Sequence, residues 1–287
     1  MTTLPERAAY QCYSAVNPIH STIYFSPDCG EELAKLGLED SSAAYFVSRA
    51  AAMGRVGPGT VTATFFHFSH ELVARHLPAA WDVVSPEAAL EARLRAADSV
   101  LRRVLGEEVI ASKEMAEAAE LALRATEACS RLARPLYAAH ADLPVPDAPH
   151  LALWHAATLL REYRGDGHLM TLVGAGLDAV EALASHTATG KGMSTKWVLL
   201  TRGFSAEEWE AGRQRLRDRG LLTADNELTE EGARLRQSLE DETDRLDAAP
   251  YEHLGAAGVA RLTELAASFT KTARENGAFP ADLLGNR

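Results

Sequence analysis

The run Arg161-Glu162-Tyr163-Arg164-Gly165-Asp166-Gly167-His168 concentrates residue types that bind anions and move protons. Arg161 and Arg164 are three apart and share one face of a helix. The two glycines predict a turn over residues 164–167, after which Asp166 caps a new helix and His168 sits in its first turn. Free amides and the positive end of the helix dipole favour an anion there. An anionic small molecule is then held by Arg161 or Arg164, by those amides and by His168, with His155 on the preceding helix pointing the same way. A neutral imidazole in that position can also serve as acid or base. Read structurally, the same residues pair Arg164 with Asp166 or Glu162 and leave His168 a hydrogen-bonded core histidine.

His67 and His70, three apart among Phe65, Phe66 and Phe68, form a second constellation. Two histidines at that spacing on a helix can ligate a metal or a haem. No third ligand is visible, and the glutamate of His-Glu-x-x-His is missing, so no metal is assigned and the cofactor stays unknown. The aromatic density of this stretch suits either core or the wall of a ligand pocket. Gly54-Arg55-Val56-Gly57-Pro58-Gly59 lacks the Gly-Lys-Ser/Thr ending of a phosphate loop, and no Gly-x-Ser-x-Gly elbow occurs.

The elements that must position these residues read as helices. Alanine carries much of a 47% hydrophobic content while aromatics make up only 7%, a composition that favours helix on helix. A mixed arm leads into a helix near 31–36, and another spans 41–52. Residues 60–77 read as one buried helix up to Pro78. Ser85-Pro86-Glu87 starts a helix that Gly106 ends, and a long helix follows over 107–137. Three prolines between Asp142 and Pro149 mark a boundary between units. Helices over 151–163 and 168–187 follow. A faint echo relates Arg49 and Gly54 to Arg161 and Gly165, each pair leading into an apolar helix.

The most specific local pattern lies at 194–247. A short apolar helix is followed by the turn Arg202-Gly203-Phe204 and by the capping box Ser205-Ala206-Glu207-Glu208. The second helix ends at Gly220; short apolar segments flank the hairpin signal Asp225-Asn226, and Thr229-Glu230-Glu231-Gly232 caps a long final helix. This order, with Gly220-Leu221 and Leu228-Thr229-Glu230-Glu231-Gly232 around the wing, resembles the winged-helix domain of MarR-family regulators. Leu153-Trp154-His155, Leu160-Arg161-Glu162 and the run from Arg164 to His168, taken with this module, resemble a family of actinobacterial helix-turn-helix proteins.

The expected fold is all-α with a small β-wing: a helical N-terminal unit over 1–142 and a C-terminal helical unit over 150–287 containing the winged helix. The resemblance implies a homodimeric, small-molecule-responsive transcriptional regulator, with Arg202, Ser205, Trp209 and Arg213 facing DNA. Net charge is −11, from 29 basic against 40 acidic residues, and Glu207, Glu208 and Glu210 occupy the half of the second helix that would enter the groove. That charge favours the alternative, an enzyme or ligand-sequestering protein that keeps the winged helix as scaffold. In it His168 is the acid or base, Arg164 the anion anchor and Asp166 the orienting residue. The start of the chain has no secretory pattern, no stretch suits a membrane span, and three cysteines without ligand spacing fit a reducing compartment, so a cytoplasmic protein is expected.

Overall fold

The structure, a computed structural model, describes residues 4–280. Within them the chain forms sixteen α-helices. The N-terminal part contains α1 (Ala8–Ser21), α2 (Asp28–Ala34), α3 (Ser41–Ala50), α4 (Pro58–Phe65), α5 (His70–His76) and α6 (Ala80–Val83). The middle holds α7 (Pro86–Leu105), α8 (Glu107–Ile110), α9 (Lys113–Thr126), α10 (Pro135–Ala141) and α11 (Pro149–Gly174). The rest comprises α12 (Ala179–Thr187), α13 (Thr195–Arg202), α14 (Ala206–Asp218), α15 (Glu230–Leu246) and α16 (Ala248–Glu275), the last kinked at Gly255. No helix among the described residues is long and apolar enough to cross a membrane. Cys12, Cys29 and Cys129 are free thiols.

Several helix ends follow directly from local chemistry. Ser85 accepts the Ala88 amide ahead of α7, and Gly106 stops that helix with φ 82°. Ser205 and Glu208 make both bonds of a capping box at α14. Other expectations are corrected. The N-terminal arm is the helix α1, whose Cys12, Val16 and Ile19 are buried against α16. The expected helix over 60–77 is two helices, separated where Phe66 takes φ 58° and Ser69 caps α5. The expected 107–137 helix is three shorter ones.

The expected turn over 164–167 lies inside α11, which continues to Gly174. Tertiary contacts offset the helix cost of the two glycines, roughly 1 kcal/mol each. Arg134 packs across Gly167, where a Cβ would sit 2.8 Å from Nη1. Its guanidinium donates to the carbonyls of Tyr163 and Leu246 and lies 3.6 Å from the Tyr163 ring centroid. Among the described residues no strand forms. The expected two-stranded wing is reduced to one antiparallel bridge between Leu222 and Leu228, closed by Asn226 at φ 64°.

One large core draws on α1, α7, α9, α11 and α16, and the proline-rich stretch at 142–149 connects α10 to α11. A second cluster gathers α3 to α6 with the first turns of α7. A third packs Leu172 of α11 and Val180 of α12 with Val198, Trp209, Leu216 and Leu239 of the helix-turn-helix segment, α13 to α15. Helix α11 contributes to the first and third clusters and spans the distance between them.

The third cluster is fastened to the second by backbone. The Ser69 amide donates to the Arg202 carbonyl at 2.9 Å, which is possible because the chain breaks between α4 and α5. Gly203 follows at φ 76°, and a Cβ there would lie 2.5 Å from Leu72 Cβ and 2.6 Å from Ser69 Oγ. Both the left-handed backbone and the lack of space oppose a side chain. Gly203→Ala is expected to lower stability by about 1–3 kcal/mol through overpacking and strain. Urea denaturation checks this; an unchanged midpoint would mean the seam yields without cost.

Candidate functional site

A cavity of about 290 Å³ opens where the three parts meet. Helix α3 supplies Tyr45 and Arg49; α4 and its following turn supply Phe65, His67 and Phe68. Helix α11 presents Arg161, Glu162, Asp166, His168 and Leu169, and α12 presents Leu183 and His186. Met193, Val198 and Arg202 close the helix-turn-helix side. The run at 161–168 and the aromatic stretch at 65–68, far apart in sequence, thus share one space.

The three guanidiniums differ in how they are satisfied. Arg49 Nη2 lies 3.4 Å from Glu162 Oε2, its Nη1 donates to Tyr45 Oη at 3.3 Å, and its charge sits over the Phe65 ring at 4.2 Å. Burial opposes its charge, but Tyr45 and Glu162 outweigh this and hold its pKa above the ordinary value. Arg161 donates to Asn17 Oδ1 at 2.6 Å and stands 3.7 Å from Glu162 Oε1. Arg202 has no carboxylate partner among the described residues; its Nη2 touches Met193 Sδ at 3.3 Å and its charge lies 4.5 Å from the Phe68 centroid. Its Nε, like those of Arg49 and Arg161, is buried without a hydrogen-bond partner, and burial lowers its pKa.

Burial raises the phenol pKa of Tyr45, but Arg49, Arg202 and Arg161 outweigh this and bring it below its ordinary value. Glu162 is 2% exposed, and the surrounding arginines overcome its burial to keep it ionised. The second carboxylate, Asp166, is turned to backbone: Oδ2 accepts the amides of Leu136 at 3.1 Å and Tyr137 at 2.9 Å, capping α10 across the fold. Burial nevertheless raises its pKa to about 6.

The histidines are uncharged. Burial, then neighbouring His168 and the cations Arg202 and Arg49, push His67 down to about 3. Burial, then Arg236 and Arg164, push His168 down to about 4. Burial also lowers the pKa of His186. The hydroxyl of Thr243 donates to the Leu239 carbonyl at 2.6 Å, so His168 Nδ1 donates to that oxygen at 2.9 Å. Nε2 of His168 is therefore the nitrogen left free to accept a proton or hydrogen bond. Among the described residues no three His, Cys, Asp or Glu side chains are grouped to hold a metal. The cavity is thus suited to an anion with an apolar part, since cations and neutral imidazoles line it together with Phe65, Phe68 and Leu183.

The remaining sequence candidates lie elsewhere. Arg164 leaves α11 on another side and pairs with Asp244 at 2.7 Å and Asp247 at 3.3 Å, its charge 4.8 Å from the Tyr13 centroid. Asp247, 2% exposed, has a pKa raised by burial to about 7. His155 is buried outside the cavity, and burial lowers its pKa. His70 is exposed at the start of α5 and meets Thr62 Oγ1 at 3.2 Å. On the helix-turn-helix segment, Arg202 faces the cavity and Ser205 is committed to its capping box. Trp209 is 3% exposed, a core residue with no side chain to offer a groove. Arg213 lies 5.4 Å from the Trp209 centroid and 3.8 Å from Glu210. Arg217 is bonded to Glu210 and Asn226, and Arg219 to the carbonyls of Ala175 and Gly176.

Sequence reasoning missed Arg49, Tyr45, Glu162 and His186 as cavity residues, and Arg202, expected to face DNA, lines the cavity. Only Arg49 left a signal, through its echo of Arg161.

A family model described as a helix-turn-helix family matches residues 9–280. Among curated proteins and among solved structures no match was found.

Neutral His168 gives a test of this electrostatic arrangement. From its ordinary 6.5 down to about 4, the unfolded chain binds a proton that folded His168 refuses. Its contribution to stability is therefore full above 6.5 and lost as pH falls through that window. His168→Gln removes the contribution. Urea midpoints measured from about pH 6.5 down to pH 4.5 should fall less steeply in the variant. Equal slopes would mean that the folded imidazole titrates like a free one.

Proposed function

The chain belongs to the helix-turn-helix family, and we propose that it is a transcriptional regulator whose helix-turn-helix segment responds to a small anion in the arginine-lined cavity. The observation that carries this reading is Arg202. It belongs to the helix-turn-helix segment, its half-buried guanidinium has no carboxylate partner among the described residues, and it faces a space whose other arginines come from the rest of the fold. Burying an unpaired cation costs stability, a cost that a bound anion offsets. An anion touching Arg202 and Arg49 together bridges the seam that the Ser69–Arg202 bond holds. Such a ligand favours the fastened arrangement by its differential affinity, typically worth about 1–3 kcal/mol.

Helix order, the capping box at Ser205 and the bridge at Leu222–Leu228 support a reduced winged helix of the MarR-like kind. Contacts with DNA phosphates then fall to the exposed cations Lys196 and Arg234 more than to Trp209. The acidic, exposed Glu207, Glu208 and Glu210 favour the second reading, a ligand-sequestering protein or enzyme with this segment as scaffold. There the free Nε2 of His168 accepts the proton.

Benzoate is a suitable probe, since the cavity pairs cations with aromatic walls. Calorimetry should show benzoate binding that weakens about tenfold to a hundredfold in Arg202→Met, the loss expected for a charge-assisted contact. The variant's thermal stability without benzoate should equal or exceed the wild type's. Absence of benzoate binding, or binding indifferent to Arg202, would sink the cavity assignment. Anisotropy with the chain's own upstream DNA separates the two readings. Selective binding that benzoate alters supports the regulator, and benzoate binding without any DNA binding supports sequestration.

A further inference from the structure

A second space, about 440 Å³, runs along α11 beside the arginine-lined cavity. Its walls are almost wholly apolar, from Ala63, Phe66, Met170 and Val173. The charged residue there, Asp166, has Oδ2 occupied by two backbone amides. Thr64, Asp166 and Leu169 line both spaces, so the apolar groove and the cationic cavity are neighbours across three shared side chains. Met170 is 38% and Val173 62% exposed, and they stand three apart on one helical face that no described residue covers. The left-handed backbone at Phe66, φ 58°, is what turns the chain between α4 and α5 beside this groove.

From this adjacency we infer that the ligand is an amphiphilic monoanion. Its head group lies among Arg49 and Arg202, and its hydrocarbon chain passes Thr64 and Leu169 into the groove beside Met170 and Val173. The inference rests on the proposed anion site and adds the second compartment to it. A cavity of about 290 Å³ lined by three guanidiniums suits a compact head, while a longer chain needs somewhere dry to go. The groove offers apolar surface beside the cavity, with no cation of its own to compete for the head. Leu169, half-buried and in the wall of both spaces, is the side chain that must move aside.

Straight-chain carboxylates from hexanoate to decanoate, titrated into the full chain by calorimetry, test the idea. Each methylene that enters the groove should tighten binding about threefold, on the order of a hundredfold across the series. Val173→Glu puts a carboxylate into the groove at an exposed position and should abolish this gain while leaving hexanoate affinity unchanged. Gly174→Leu fills the groove from a position where a Cβ would meet no heavy atom within 4 Å, and should act the same way. A flat series, or one that rises equally in both variants, overturns the inference. If benzoate binds through Arg202 and the alkanoates show no gain, the second compartment fails alone. If neither benzoate nor any alkanoate binds, the anion site and its extension fail together.

Discussion

Everything in this fold hangs on α11 remaining one helix through Arg164-Gly165-Asp166-Gly167. Three of those residues are held by something distant. Arg134 lies over Gly167, Asp166 caps α10, and Arg164 is gripped by carboxylates of α15 and the residue that follows it. Had the helix broken there, Arg161 and His168 would sit on separate elements and no common wall would form. Instead Arg161, Glu162, Gly165, Asp166, His168 and Leu169 lie along successive turns of a single rod, facing the same space.

The electrostatics of that space are arranged by asymmetry in partners. Glu162 satisfies Arg49 and stands near Arg161, so two of the cations are held in place by a charge the protein itself supplies. Arg202 is left with a thioether and an aromatic face. Low polarity around it makes any arriving anion worth more than it would be in water, and makes a lone guanidinium there costly to bury. Neutral imidazoles add hydrogen-bonding capacity without adding competing charge, because burial and the nearby guanidiniums oppose their protonation.

Much of the all-helical architecture was legible wherever a signal was local. Ser85-Pro86, Gly106 and the Ser205–Glu208 box each act within a few residues, and each marks the helix end it suggests. The misread turn at 164–167 shows the limit. Glycine and aspartate favour a break by their own preferences, while the partners that override them, Arg134 and the amides at Leu136 and Tyr137, are about thirty residues away. The cavity was legible in pieces: the 161–168 run and the 65–68 stretch stood out by composition. That Arg49 meets Glu162 across 113 positions was not written in either segment. That Arg202 lines the cavity was not legible, because its position, at the end of a helix before a turn, says nothing about which way its long side chain leaves the backbone. The wing shrank to one bridge because short apolar segments around a turn signal need more pairing than Leu222 and Leu228 supply.

At position 202 the main chain and the side chain do separate jobs. The carbonyl accepts the Ser69 amide, and the glycine after it fits against Leu72; neither depends on which side chain residue 202 carries. Attachment of the helix-turn-helix segment is therefore insulated from whatever the guanidinium recognises. A substitution at 202 can therefore change the charge and shape of the cavity wall while the same mechanical joint stays closed.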